Sequence, residues 1–447
     1  MRPIRTVVGQ DISDLVTCQA RQLERFVPIV PETLADTGLP GSLIEQLILK
    51  FLYFRGEMIS NDLARAMGLP FNCIEEILEA FKLQQLIQVK SSLGYGPISE
   101  LQCLTERGRR VARDYLENNQ YVGPAPVPVA QYCAAVEAQR MPARWLTSER
   151  LAAAYSRLVV SEAMLDQIGP AVSSGKSLLI YGQPGNGKTQ LAEALANIQS
   201  SDIYVPYSLE CQGNIIQLYD PIYHQLSQRE EELPDSACDG RWARCRRPFI
   251  ASGGELSLSM LDLSYNTTSK VYDAPLHLKA NNGIYLIDDF GRQKATTAEI
   301  LNRWIVPMER RVDYLSFSNG GKMTVPFETF LIFSTNLSPD KLGDEAFLRR
   351  IQYKILVTSP GKEEFCTIFQ KVCGSYGMEA ARAILESFIA KHYLRSGKQF
   401  RRCHPRDLIS QAIDYVNFKR LPQELTEDVL DRAFASCFLS TADLSET

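Results

Sequence analysis

The residues with the clearest chemical potential fall in one short run. Gly182-Gln183-Pro184-Gly185-Asn186-Gly187-Lys188-Thr189 fills the GxxxxGK[ST] template, with Gln190 directly after it. Gly182, Gly185 and Gly187 allow backbone dihedrals that a side chain opposes, so successive N–H groups can turn inward on phosphates. Lys188 brings a positive point charge to the β- and γ-phosphates, and the Thr189 hydroxyl is a ligand for Mg²⁺. A second run, Gly283-Ile284-Tyr285-Leu286-Ile287-Asp288-Asp289, reads as an apolar strand ending in two carboxylates. Ligands gather at the carboxyl ends of parallel strands. There Asp288 would hold Mg²⁺ through water and Asp289 would polarise an attacking water. Phe330–Thr335 reads as another buried strand, and Asn336 at its end would reach the γ-phosphate or that water.

Two basic features follow. Asp344-Glu345-Ala346-Phe347-Leu348-Arg349-Arg350-Ile351 sets Arg349 and Arg350 at a helix end. A guanidinium lying against a neighbouring copy's γ-phosphate stabilises transition-state charge. Cys403-His404-Pro405-Arg406 opens a helix with Pro in the first turn, which projects Arg406 toward the nucleotide. Cys238 and Cys245 bracket six residues with no paired histidines, a poor zinc spacing.

The surrounding pattern must position these groups. An apolar strand precedes the glycine-rich run and an amphipathic helix follows it, the context that a phosphate loop requires. Strands and helices alternate to about residue 356, after which the chain reads as all-helical, with helices near 362–374, 378–393, 405–419 and 426–438. Before the core, residues 1–40 form a weakly patterned arm. Residues 41–119 read as helices followed by a two-stranded wing, the winged helix-turn-helix pattern, with Ser60 as N-cap of the second helix and Phe71–Leu83 as the third. Pro124, Pro126 and Pro128 make 120–142 a stiff extended linker. The core is then 143–356, and an all-α lid covers 357–442.

The stretch between Lys188 and Asp288 exceeds what a minimal core needs. Within it Ile203–Asp220 reads as a hairpin around Gln212-Gly213, and Gly253-Gly254-Glu255 precedes a helix. The loop REEELPDSACDGRWARCRRP is acidic, then basic. Arg241, Arg244, Arg246 and Arg247 would meet a neighbouring subunit, nucleic acid, or the loop's own Glu230–Glu232. Val312–Phe317 and Lys322–Phe327 read as a hairpin around Ser318-Asn319-Gly320-Gly321.

Composition excludes several classes. Among 447 residues, 48 Lys+Arg against 52 Asp+Glu give a net charge of -4, which rules out a whole-chain polycation. With 45% hydrophobic and 22% charged residues the chain is ordinarily globular. No apolar run approaches the ~18 residues of a membrane span. The opening MRPIRTVVGQDISD does not read as a signal peptide, because Gln and Asp arrive before any apolar run can form. Eleven cysteines without a CxxC fit a reducing, cytoplasmic setting. In the third helix of the wing unit, Glu75, Glu76 and Glu79 face a single Lys82, while Arg107, Arg109, Arg110 and Arg113 gather in the final helix. That distribution favours protein over DNA as the unit's partner.

In order, the phosphate loop, acidic strand, Asn-ending strand, Arg pair and helix-opening Pro-Arg resemble an AAA+ ATPase across roughly residues 145–440. The matching family elements are Walker A, Walker B, sensor 1, arginine finger and sensor 2. The hairpin before the Asn-ending strand is similar to that of the MoxR-like and magnesium-chelatase-like branch. The whole arrangement resembles bacterial winged-helix-plus-AAA+ proteins described as predicted ATPases with chaperone activity. The resemblance implies a multidomain chain: a winged helix, an α/β P-loop AAA+ core with a parallel sheet, and a helical lid. It implies ATP and Mg²⁺ as cofactors and a homo-oligomeric ring, a hexamer, since an arginine finger works across a subunit boundary. Remodelling of a protein client is the expected use. A nucleic-acid motor or loader and a nucleotide-gated scaffold are the alternatives. The chain departs from the family at Asp289, where Glu is usual. One methylene shorter, Asp289 must approach water from a shifted backbone or through a second water.

Overall fold

The structure, a computed structural model, describes residues 26–142, 145–198, 201–227, 238–342 and 348–438. The N-terminal unit runs α1 (Gly41–Arg55), β1 (Glu57–Ile59), α2 (Ser60–Ala66), α3 (Asn72–Leu83), β2 (Ile87–Ser92), β3 (Glu100–Leu104) and α4 (Glu106–Asn118). Its strands form an antiparallel sheet in the order β1-β3-β2. Helical spacing puts Ile74, Ile77, Leu78 and Phe81 on the buried face of α3. Ser60 is not an N-cap. It is the first residue of α2, and its hydroxyl donates to the Glu100 carbonyl at 3.2 Å, while Ile59 holds the cap position without a side-chain bond.

The expected linker is built into the fold. Within 120–142, β4 (Val127–Pro128) is an edge strand, pairing in parallel with Leu209 and Glu210, and α5 (Val129–Ala138) follows at once. Tyr121 and Ala125 are buried. The Tyr121 hydroxyl donates to the Pro124 carbonyl at 2.6 Å and accepts from Ser208 Oγ at 2.8 Å. Alternating prolines hold a chain extended, and an edge strand uses an extended chain as readily as a free spacer does.

The core continues with α6 (Ser148–Ala154), α7 (Glu162–Ser174), β5 (Leu178–Tyr181), α8 (Lys188–Ala196), β6 (Asp202–Pro206), β7 (Ser208–Cys211), β8 (Asn214–Gln217), β9 (Trp242–Arg246) and β10 (Phe249–Ser252). Then come β11 (Ser264–Asn266), β12 (Val271–Asp273), α9 (Leu276–Lys279), β13 (Ile284–Ile287), α10 (Thr297–Arg310), β14 (Val312–Ser316), β15 (Lys322–Pro326), β16 (Phe330–Thr335) and β17 (Tyr353–Leu356). Five of these strands make an all-parallel sheet in the order β10-β13-β16-β5-β17. Every residue of β13 and β16 is buried, as a sheet packed on both faces demands.

Between α8 and β13 the chain builds a second sheet, β11-β12-β8-β7-β4, and a separate pair, β6-β9. The hairpin around Gln212-Gly213 is therefore only β7 and β8, because β6 leaves to pair antiparallel with β9. Gly253–Glu255 leads into a 3₁₀ turn, Leu258–Leu261, rather than an α-helix. Three of the four arginines in the basic half of the loop serve the fold. Arg241 is 2% exposed, paired with Asp239 at 2.7 Å and donating to the Thr37 carbonyl. Arg244 pairs with Asp202, and Arg247 donates to Asn282 O, Gln139 O and Ser201 Oγ. Arg246 is exposed, and Glu230–Glu232 lie outside the described residues.

This insertion is shared with its neighbours. Ile215 and Val271 belong to the apolar core of the N-terminal unit. Gly68, at φ +68, meets Gly240 backbone to backbone; a Cβ on Gly68 would sit 2.5 Å from the Gly240 carbonyl oxygen. The β14-β15 hairpin lies where its turn residues predict, with Leu315, Phe317, Met323 and Val325 buried among the insertion's side chains.

The C-terminal unit is helical: α11 (Lys362–Ser375), α12 (Arg382–Ile389), α13 (His404–Lys419) and α14 (Glu427–Cys437). The helix expected from residue 378 begins at Arg382, and a π-turn, Ala390–Leu394, extends it. Among the described residues no helix is long and apolar enough to cross a membrane.

Candidate functional site

Strand β5 stops at Tyr181 and the loop to α8 turns sharply on its glycines, with φ of 145° at Gly182, 78° at Gly185 and 80° at Gly187. Space forbids side chains as well. A Cβ on Gly182 would lie 2.3 Å from the Val357 carbonyl oxygen, and one on Gly185 would lie 2.7 Å from Cys403 Sγ. Gly187 is the N-cap of α8, so Lys188 and Thr189 occupy its first turn, where free N–H groups and the helix dipole favour an anion.

The strand order sets the polar contacts. β16 lies between β5 and β13, so Asn336 emerges between the loop and the acidic pair. Lys188 Nζ donates to Asn336 Oδ1 at 2.6 Å and to the Gly182 and Gln183 carbonyls at 3.1 Å each. Asn336 Nδ2 donates in turn to Asp289 Oδ1 at 3.1 Å. Thr189 Oγ1 donates to Asp288 Oδ2 at 2.8 Å. Burial pulls the Lys188 ammonium below the usual lysine range, opposed by Asp289 and Asp288 and reinforced by Arg401. These groups open on a cavity of about 740 Å³, lined by Pro184 through Gln190, Asp288, Asp289 and Asn336 on one side.

The donor set suits a hard cation. Thr189 and Asp288 offer only oxygen, and among the described residues no cluster of three His, Cys, Asp or Glu forms a metal cage. Mg²⁺ is commonly held by one or two carboxylates together with phosphate oxygens and waters.

Other walls come from residues the local pattern did not single out. Arg157–Val160 and, from α11, Ile368, Lys371 and Val372 line the far side. Arg402 spans the two walls: Nη1 donates to the Val159 carbonyl at 2.6 Å and Nη2 pairs with Glu364 at 2.6 Å. Its Nε is buried without a hydrogen-bond partner. The Arg402 side chain also crosses the phosphate loop, its Cδ 3.9 Å from where a Cβ on Gly187 would stand. Arg406 lines the same cavity, largely exposed, with Asp407 at 3.4 Å.

The Arg349–Arg350 pair does not join this cluster within one chain. Arg350 pairs with Glu309 at 2.6 Å and lines a separate recess of about 180 Å³ with Lys176 and Gln352. Arg349 is exposed, and Asp344–Phe347 lie outside the described residues.

A family model described as a domain of unknown function (DUF8689) matches residues 361–436, most of the C-terminal helical unit. No curated protein matches the chain. Among solved structures, NtrX from Brucella abortus is similar at 12% identity over 63% of this chain, with a TM-score of 0.38; 57% of the NtrX chain is covered. A RuvB mutant from Thermotoga maritima is similar at 14% identity over 62% of this chain and 69% of its own, with a TM-score of 0.36.

Proposed function

We propose that this chain is a Mg²⁺-dependent AAA+ ATPase that works as an oligomeric ring, a hexamer, and remodels a protein client. One observation carries the reading: Lys188, Thr189, Asp288, Asp289 and Asn336 converge on one cavity at the carboxyl ends of adjacent parallel strands. Lys188 and the loop N–H groups bind the phosphates. Thr189 and Asp288 would hold Mg²⁺, which neutralises phosphate charge when bound. Asp289 accepts a proton from the attacking water, and Asn336 keeps the Asp289 carboxylate aimed. Arg349 or Arg350 acts on a neighbour's γ-phosphate, and Arg406 links the helical unit to the nucleotide state.

Purified full-length chain should turn over ATP only with Mg²⁺. Asp289→Asn should keep ATP bound while lowering kcat by about 10²–10⁴, the usual worth of a general base. Wild-type protein that binds ATP and never hydrolyses it would end the enzymatic reading.

The partner surface supports protein over DNA. On α3, Glu76 and Glu79 are exposed, and Lys82 is occupied by Glu79 and Glu100. The β2-β3 loop presents Leu93, Tyr95 and Ile98 to solvent. Such a face repels phosphates, and its lysines, Lys82 and Lys90, are already paired with carboxylates. ATP turnover should therefore not rise when duplex DNA is added at physiological salt. A DNA-stimulated rate would move the reading to the nucleic-acid motor.

Arg402 gives a further expected result. Arg402 lines the cavity as a cation, and one charge-assisted hydrogen bond from its guanidinium to bound nucleotide is worth about 1.5–3 kcal/mol. Arg402→Gln should weaken ATP binding by about tenfold to a hundredfold in a titration. Lower melting temperature with unchanged affinity would reduce Arg402 to a brace between α11 and Val159.

A further inference from the structure

Asp289 sits at φ 48°, in the left-handed region. A residue there holds its side chain on a different vector from an extended strand end, which is the shifted backbone that a shorter carboxylate needs. The same conformation explains the residue type. Asp and Asn enter the left-handed region more readily than other side chains because their short polar groups can hydrogen-bond locally, whereas a bulkier Cβ substituent crowds the following carbonyl oxygen there. The preceding carboxylate also braces the turn, Asp288 Oδ1 accepting from the Asp289 N–H at 3.0 Å.

The turn that holds this conformation is tied from both sides. On the sheet side, the Phe290 N–H donates to the Ser334 carbonyl at 2.7 Å, and Thr335 Oγ1 donates to the Phe290 carbonyl at 2.7 Å. On the outer side one side chain closes it. Gln293 Nε2 donates to the carbonyls of Asp288 at 2.9 Å and Asp289 at 3.2 Å, and Gln293 Oε1 accepts from the Gly291 N–H at 2.8 Å. The amide thus bridges three backbone groups, both carbonyls of the acidic pair among them. Gln293 does not line the nucleotide cavity, so it touches neither substrate nor reacting water.

Resting on the ATPase reading above, we propose that Gln293 is a positioning residue for Asp289: its amide clamp fixes the left-handed turn and so compensates for a carboxylate one methylene short. Without the clamp the Asp288 carbonyl and the Gly291 N–H turn to water, the Asp289 carbonyl keeps only the Arg292 N–H at 3.0 Å, and Asp289 relaxes toward ordinary dihedrals. A misplacement of about 1 Å at a catalytic group is worth roughly 10²-fold in rate.

The test is steady-state ATP turnover by full-length protein, with ATP affinity measured separately. Gln293→Ala, and Gln293→Met to preserve volume, should lower kcat by about 10–100-fold while KM and ATP affinity stay within about twofold. On an Asp289→Ala background the same changes should cost nothing more, since the group they position is gone. Asp289→Glu alone should be impaired, and pairing it with Gln293→Ala should recover part of the rate, because a longer carboxylate reaches from a relaxed turn. Unchanged kcat in both Gln293 variants would overturn the clamp, as would a full further loss on the Asp289→Ala background. No turnover by the unmutated chain would instead remove the ATPase reading, and this inference with it.

Discussion

Lys188→Ala should lower ATP affinity by about 10²–10⁴-fold, to the point where a standard titration detects no binding. Lys188 is buried, and its ammonium is held by the Gly182 and Gln183 carbonyls and by Asn336. Bound phosphates would draw it onto their oxygens in at least two charge-assisted hydrogen bonds, each worth about 1.5–3 kcal/mol. At 1.4 kcal/mol per tenfold, two such bonds give the expected range. Alanine is a strong helix former, so α8 keeps its first turn and the loss belongs to the charge. Melting temperature offers a second readout: saturating Mg²⁺-ATP should raise it for wild type and leave the variant unmoved. Equal affinity in the two proteins would remove the phosphate-loop reading.

The second large effect is expected across the subunit boundary of the proposed ring. Arginine fingers are worth about 10³–10⁵ in rate. Arg349→Ala or Arg350→Ala should cut turnover toward the low end of that range with ATP binding intact. Neither residue lines its own chain's cavity, so the proposed role requires a neighbour to present it. Arg350 starts from a 2.6 Å pair with Glu309, which it must loosen to reach a γ-phosphate, whereas Arg349 is more exposed. Mixing the inactive Arg variant with Lys188→Ala should restore part of the activity. One supplies an intact phosphate loop and the other an intact finger. Full turnover in both single Arg variants, or by a strictly monomeric protein, would sink the trans arrangement.

What the sequence made legible is what spacing alone can encode. The phosphate loop is eight consecutive residues whose chemistry needs no distant partner, and Asp288 closes an apolar run that only a buried strand explains. Gln293 and Arg402 had no such signature. Gln293 matters because a turn folds back on its amide, and Arg402 because α11, Val159 and the loop converge on it. Arg241 and Arg247 read as groups for a partner or for the loop's own acids because nothing local reveals the carbonyls of Thr37, Gln139 and Asn282 closing over them. The pairing of β6 with β9 escaped for the same reason: each strand's partner is far away in sequence, while the Gln212-Gly213 turn is local and visible. Ser60 shows the converse error. A cap-forming residue stood one place past the cap, and β3 took up both roles of its hydroxyl, which donates to the Glu100 carbonyl and accepts from Gln102 Nε2 at 3.2 Å.

The stitching of the N-terminal unit to the insertion also sets a timetable for synthesis. Tyr121 waits for Ser208, 87 positions later, and the unit's own core waits longer still for Ile215 and Val271. At about 5–20 residues per second a ribosome needs roughly 4–17 s to deliver that serine. Through that interval Tyr121 lacks its Ser208 partner and Val127 lacks the β7 strand it pairs with. The N-terminal third of the chain therefore matures only after the middle has been made, and a fragment ending near residue 120 would keep that unfinished face.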